Sequence, residues 1–361
     1  MKAAVFRQPG KPLTVEEVEI DQPLGREVLV KTVAAGVCHS DLHIIEGLYP
    51  YPAPAVLGHE SAGVVEAVGD RVTAFKPGDH VVACLAVFCG NCDQCLSGRP
   101  NLCLNRAATQ RDPAGLARLS LGGQTLYQFM DVGGYAEEML LHENALVKVT
   151  PEISLDRAAL IGCAVTTGLG SVFNTAKVAP GSSVAVFGCG GVGLAAIQGA
   201  RLAGARQIIA VDVFENKLAA AKRFGATHTV ASSGSDPVSA IRQITGGGVD
   251  YSFEAIGKKI TAEQAFYCLA PGGVATVIGM VPGKEKIAID GRHLLTEKKL
   301  QGTFMGSTRF RIDIPRYVDF YLQGRLNLDE MVSRRRSLDE INEAFEAMKA
   351  GEVVRTVLTF D

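Results

Sequence analysis

The chain has 361 residues, 47% of them hydrophobic and 20% charged. That composition excludes a disordered chain and a small disulfide-stapled scaffold, and the length suggests about two domains at roughly 150 residues each. A formal net charge of -2 supplies no field that would draw the chain to nucleic acid or to an anionic membrane. In chain order, Met1 to Gly10 lacks the apolar core and cleavage pattern of a secretion signal, which points to the cytoplasm. Short apolar runs follow at Glu27 to Ala34, Ala62 to Val68 and His80 to Val87. Gly58, Gly63, Gly69 and Gly78 fall between or inside them, as the turns and bulges of an all-β barrel or sandwich require. From about residue 165 the pattern changes, and strands alternate with helices. Strands are expected at Ser183–Phe187, Gln207–Val211, Thr227–Val230, Val249–Glu254, Val274–Gly279 and Leu300–Phe304. The stretch Asn216 to Phe224 reads as a helix stopped by Gly225. Six strands with helical crossovers give an α/β doubly wound parallel sheet. Residues 178 to 200 contain no Asp, Glu, Lys or Arg and could span a bilayer by length, but Pro180 and the glycines break the run into strand, turn and helix. Near the end, Arg334 to Arg336 reads as a solvated face before the Ser337/Glu340 capping box. The helix that follows presents Leu338, Ile341, Phe345 and Met348 on one side and stops at Gly351. The last run, Val353 to Phe360, reads as a strand that returns to the first domain.

Three groups of residues carry chemistry. Gly188, Gly190 and Gly193 fit G-x-G-x-x-G, with Gly191 and Val192 opening the helix. The turn follows one expected strand and precedes another that ends in Asp212, about 20 residues further on, which is the context of a dinucleotide site. Gly188 allows the tight turn, Gly190 lets the backbone approach a pyrophosphate, and Gly193 lets helix pack on strand. The helix N-terminus then offers N–H donors to the phosphates. Asp212 can accept from adenosine ribose hydroxyls and would repel a 2′-phosphate, and Val213 and Phe214 place no cation beside it. The reading is NAD rather than NADP.

The second group is Cys89, Cys92, Cys95 and Cys103, four of the nine cysteines within one short loop. In a reducing compartment four thiolates at that spacing suit a closed tetrahedral zinc site, with an iron–sulfur cluster as the rival. The third group is dispersed: Cys38, His59 with Glu60, and Cys163, each following an apolar run or facing a Thr-Thr-Gly stretch. Two cysteines and one histidine leave a fourth metal position open, the ligand set of a catalytic zinc. Cys84, Cys189 and Cys268 read as small core hydrophobes.

These residues together resemble the zinc-dependent alcohol dehydrogenases of the medium-chain dehydrogenase/reductase superfamily. The resemblance covers essentially the whole chain: Gly36 to Asp41, Gly58 to Glu60, the four-cysteine loop, Cys163 to Gly168, the Gly-rich turn with Asp212, and Val354 to Leu358. It implies a GroES-like β-barrel catalytic domain at 1–164 plus 306–361 and a Rossmann NAD-binding domain at 165–305, with the active site in the cleft between. It implies two zinc ions per chain, a catalytic one on Cys38, His59 and Cys163 and a structural one on Cys89, Cys92, Cys95 and Cys103. In the family Glu60 lies behind the catalytic metal, and Asp41 is the carboxylate that fixes His59, as physical reasoning also expects. Asp41 could also serve as the N-cap of the helix that follows it. Ser40 contacts the substrate hydroxyl, and His43 completes a proton relay. His39 and Arg355 contact the pyrophosphate, Thr167 holds the nicotinamide end and Lys217 the adenosine ribose. A solvated loop role for His43 and a surface ion pair for Arg355 are the bland alternatives.

The implied activity is reversible hydride transfer between a small primary alcohol and NAD, giving the aldehyde. His39, with Tyr49 and Leu85 at pocket positions, resembles aryl- and allylic-alcohol enzymes. A thiol-dependent formaldehyde dehydrogenase is an alternative suggested by the four-cysteine lobe and Thr109-Gln110, but Tyr49 and Ala107 stand where that branch places an acid and an arginine, with Arg106 one position off. A secondary-alcohol or polyol enzyme, and an inactive NAD- and zinc-binding sensor, are further alternatives. The loop 107–133 is expected to shape the pocket. No nucleic-acid or membrane partner is expected; the family forms homodimers and homotetramers.

Overall fold

The computed structural model describes residues 1–112 and 115–360, so positions 113 and 114 of the expected pocket loop lie outside the described residues. The chain divides into two compact units, Met1–Cys163 with Arg309–Asp361, and Ala164–Thr308.

The first unit is built on antiparallel sheet. Its largest sheet runs in the order Leu146–Lys148, His80–Ala83, Ser61–Val68, Glu27–Gly36, Arg355–Thr359 and Val332–Arg336, with Glu138–His142 also paired to Glu27–Gly36. The central strand Glu27–Gly36 is long and apolar, and its pairing with Ser61–Val68 shifts register twice, between Leu29 and Val30 and between Thr32 and Ala34. Such bulges bend a sheet and aim its ends. Gly63 permits the close approach: a Cβ there would lie 2.1 Å from the Lys31 carbonyl. The strand Arg355–Thr359 pairs with Gly36, Ala35 and Ala34, so it lies beside the strand that leads into Cys38. The helix Ile341–Lys349 lays Ile341, Phe345 and Met348 on a core shared with Phe6, Leu57, Phe129 and Tyr135. The Ser337/Glu340 capping box is present at its start. The arginine triplet lies on the strand Val332–Arg336 with its side chains facing solvent, as expected of a solvated face, and its members pair with Glu352, Asp156 and Glu340.

The second unit is a six-stranded parallel sheet in the order His228–Ala231, Gln207–Asp212, Ser183–Phe187, Val249–Glu254, Leu269–Val277 and Lys299–Gly302. In chain order that is 3-2-1-4-5-6, the doubly wound dinucleotide arrangement. The crossovers are Gly191–Leu202, Glu215–Phe224, Pro237–Thr245 and Lys259–Tyr267. The fifth strand starts before the expected Val274, because it runs through Pro271-Gly272-Gly273 with a register shift against its neighbour. The helical stretch Leu155–Ala176 is long and apolar enough to cross a membrane, yet 83% of its most apolar window is buried inside the protein, as in a core helix.

Candidate functional site

Three segments bring the dispersed ligands together. Cys38 caps the helix His39–Ile45 straight after the strand Glu27–Gly36. His59 and Glu60 lie just before the strand Ser61–Val68, and Cys163 follows the helix Leu155–Leu160. Gly162 allows that helix to press on the sheet, since a Cβ would stand 2.5 Å from the Ala83 carbonyl. The result is a buried trio in which the ligand atoms of Cys38, His59 and Cys163 all lie within 4.8 Å of one another.

The polar groups around the trio decide how it is presented. Asp41 sits inside the first turn of its helix and caps nothing there, which corrects the N-cap expectation. Its Oδ1 instead accepts from Gly58 N at 2.9 Å and pairs with His59 Nδ1 at 3.2 Å. A carboxylate only accepts, so Nδ1 carries a proton and Nε2 is the nitrogen left to face the two sulfurs. That Nε2 is buried and without a hydrogen-bond partner. Burial alone would lower the His59 pKa, but the charges of Asp41 and Cys38 overcome it and raise it well above the ordinary value. The Cys38 thiol is pulled well below the usual range by its hydrogen bond with Cys163, helped by the charges of Arg355 and His59, while Cys163 is pushed up. Two soft sulfurs and an orphaned imidazole nitrogen, converging in a buried pocket, fit a zinc ion with one position left over.

Arg355 is buried at 4% exposure, which overturns the surface-pair alternative. Its Nη1 donates to Val37 O at 3.0 Å, and its Nη2 lies 3.1 Å from Glu60 Oε2 and 3.7 Å from Cys38 Sγ. Glu60 fits because Gly36 has no side chain: a Cβ there would be 2.2 Å from Glu60 Oε1. Ser40 Oγ lies 3.9 Å from Cys38 Sγ. His43 belongs to the helix rather than to a solvated loop, half-buried, with its ring centroid 5.9 Å from Tyr49. Its Nδ1 is buried with no hydrogen-bond partner, and burial lowers its pKa. His39 is exposed. Sequence reading missed Tyr135, whose buried hydroxyl donates to Asp41 Oδ2 at 2.9 Å across 94 residues of chain.

The four-cysteine lobe is more exposed. Cys92 and Cys95 sulfurs are 3.4 Å apart, and Cys89 to Cys95 and Cys92 to Cys103 are each 3.9 Å. Thiolates ~2.3 Å from a tetrahedral zinc would be ~3.8 Å apart, so the cluster has the right size. Backbone N–H groups of Cys95 and Leu104 bring the Cys92 thiol down to about 6. Here every position is a sulfur, and the site is closed.

In the second unit the Gly-rich turn takes the form its sequence demands. Gly188 has φ +92, a Cβ on Gly193 would fall 1.7 Å from the Gly188 carbonyl, and Gly190 has no atom within 4 Å on its open side. Gly190 caps the helix Gly191–Leu202, with Val192 half-buried in its first turn. Asp212 is fixed by Cys189 N at 2.7 Å and Phe214 N at 3.0 Å. Lys217 stands 5.0 Å over the Phe214 ring, and Thr167 Oγ1 contacts Met305 Sδ at 3.3 Å.

Residues 25–151 match the family described as Alcohol dehydrogenase GroES-like domain, and residues 191–323 match Zinc-binding dehydrogenase. Over 99% of the chain and 97% of the relative, it is 42% identical to an alcohol dehydrogenase class-3 of Myxine glutinosa. A zinc-binding-domain alcohol dehydrogenase protein from Burkholderia ambifaria superposes with a TM-score of 0.95 at 39% identity, covering 100% of this chain and 98% of that one. Benzyl alcohol dehydrogenase from Acinetobacter calcoaceticus superposes with a TM-score of 0.94 at 36% identity, covering 100% and 99%. Fold, turn and ligand clusters thus define a two-part oxidoreductase, a GroES-like domain joined to a Rossmann-like parallel sheet. The chain belongs to the zinc-dependent alcohol dehydrogenases of the medium-chain dehydrogenase/reductase superfamily, enzymes that act on small-molecule substrates.

Proposed function

We propose that the protein oxidises a primary alcohol, aromatic or allylic, to its aldehyde with NAD, and runs in reverse. Cys38, His59 and Cys163 would hold a catalytic zinc, and Cys89, Cys92, Cys95 and Cys103 a structural one. The residues 1–164 and 306–361 form the catalytic domain of this reading, and 165–305 the coenzyme domain. The observation that carries it is the orphaned His59 Nε2 between two buried thiols. When bound, zinc supplies Lewis acidity at its free position and NAD supplies the hydride acceptor. The chain does the rest. Asp41 holds His59 in one tautomer, and Arg355 keeps Glu60 and Cys38 in place. Ser40 Oγ takes the hydroxyl proton of the alcohol and His43 passes it outward, a step suited to an imidazole kept neutral by burial. Gly188, Gly190, Gly191, Val192 and Gly193 receive the pyrophosphate, Asp212 and Lys217 the adenosine ribose, and Thr167 the nicotinamide end.

Arg106 bears on the substrate. Its Nη2 is engaged by Asp131 at 2.9 Å, Leu85 O at 3.0 Å and Met130 O at 3.4 Å. Those partners absorb the cation that a carboxylated thiol carrier would need, and the benzyl alcohol dehydrogenase likeness agrees with an aromatic alcohol. The class-3 relative favours the second reading, formaldehyde oxidation through a thiol adduct. NADH absorbance with benzyl, cinnamyl, ethyl and isopropyl alcohols, and with formaldehyde plus and minus a thiol, separates them. Fastest turnover on the aromatic and allylic alcohols is expected. Activity only with formaldehyde and thiol would install the second reading, and no turnover by metal-replete protein would leave a sensor. A homodimer or homotetramer in the cytoplasm completes the proposal.

A further inference from the structure

The contacts behind the buried trio extend one residue beyond Asp41. Both polar contacts of Asp41 toward the metal ligands use one oxygen: Oδ1 takes Gly58 N at 2.9 Å and His59 Nδ1 at 3.2 Å. Among the described residues Oδ2 has a single side-chain donor, the Tyr135 hydroxyl at 2.9 Å. That hydroxyl in turn accepts from Cys38 N at 3.4 Å, so it touches the backbone of one metal-ligand residue and the carboxylate that orients another. Its own place is fixed from both sides. Tyr135 N donates to Leu57 O at 3.0 Å and Gly134 N donates to Gly58 O at 2.9 Å, which ties the tyrosine backbone to the segment leading into His59. The ring occupies a slot that exists only because residue 58 is glycine at φ +89; a Cβ there would lie 2.6 Å from the ring's Cδ1. Its far edge meets Phe345 at 6.2 Å in a T-shaped contact.

We propose that Tyr135 is a positioning residue for the buried metal site: by donating to Asp41 Oδ2 it stops the carboxylate from rotating, so that Oδ1 holds His59 with Nε2 aimed at Cys38 and Cys163. The inference rests on reading the trio as a metal site. A fully buried carboxylate with one oxygen left bare turns toward any donor it can share. Here that would draw Oδ1 away from His59 and loosen the ligand. Outer partners of metal ligands typically alter metal affinity by about 10–100-fold.

The experiment measures zinc release from the folded holoprotein into a chromogenic chelator, with the four-cysteine lobe as the internal reference. Wild type should release two equivalents in two kinetic phases, which Cys38→Ser and Cys95→Ser assign. Tyr135→Phe, which keeps the ring and removes the hydroxyl, should speed the buried-site phase by about tenfold and leave the lobe phase unchanged. In cobalt-substituted protein the thiolate-to-cobalt band of the buried site should shift as well. In an Asp41→Ala background the same substitution should add nothing, because the group it acts through has gone. The double variant also carries no buried bare charge, so it tests the idea even if Tyr135→Phe alone folds poorly. Equal buried-site release in wild type and Tyr135→Phe overturns the role of Tyr135. So does a double variant that releases faster than Asp41→Ala. One equivalent in wild type, bound only in the lobe, overturns the metal reading itself.

Discussion

The two cysteine clusters are built from the same atoms and differ in how the chain gathers them. The lobe takes four sulfurs from Cys89 to Cys103, on one loop, partly exposed and locked by its own backbone N–H groups. The other cluster takes Cys38, His59 and Cys163 from three segments, buries all of them, and surrounds them with Asp41, Tyr135, Glu60 and Arg355. A closed set of sulfurs completes its own coordination and has only folding energy to give. A buried set with a histidine and a spare position needs outside groups to aim it, and those groups are where reactivity is set. On the proposed reading, local spacing marks a staple and long-range convergence a place for chemistry.

Substitutions can break that contrast. Cys38→Ser should bring alcohol-dependent NADH formation down to background while circular dichroism and NAD binding stay near wild type. Global unfolding of that variant would show that the buried cluster is a staple too. His43→Gln should cost about 10²-fold in kcat/KM, the usual contribution of a positioned proton carrier. Because burial lowers the His43 pKa, the neutral acceptor persists below the ordinary histidine value near 6.5, and the acid limb of the wild-type oxidation profile should fall at a pH below that value. An acid limb above 6.5 that survives His43→Gln would assign the relay elsewhere. Asp212→Ala, in the third and most local of the sites, should shift the NADP-to-NAD ratio of kcat/KM by about tenfold or more, by removing a like-charge repulsion. Strict retention of NAD would show that another group selects the coenzyme. Cys95→Ser should change turnover per folded molecule least of all, yet lower the melting midpoint by several degrees and release one zinc equivalent. An unaltered midpoint would strip the lobe of its structural role.

Legibility in the sequence followed the same division. The strands around the Gly-rich turn were readable because β-branched runs and glycine stops occur within a few residues of one another, and Ser183–Phe187 and Val249–Glu254 form as read. The lobe was readable for the same reason. The helix Thr166–Gly170 was not, since its Thr-Thr-Gly-Leu-Gly sequence carries residues that propensity would keep out of a helix. Those glycines serve packing: a Cβ on Gly168 would fall 2.5 Å from Ala195. The partners of the buried trio were legible only by resemblance, and Tyr135 not even by that. A tyrosine 94 residues from its carboxylate has no local signature, and only the fold discloses the pairing. Arg355 was placed in the sequence by resemblance, but its buried pairing with Glu60 and Cys38 emerged from the structure alone.

The strand Arg355–Thr359 supplies Arg355 and pairs with Gly36 at the threshold of Cys38. A ribosome must therefore release Arg355, long after Cys163, before the buried ligands gain their full surroundings, whereas the lobe has all its sulfurs once Cys103 has left the exit tunnel. The sulfurs of the outer cluster are thus all available in a nascent chain well before the surroundings of the inner cluster are.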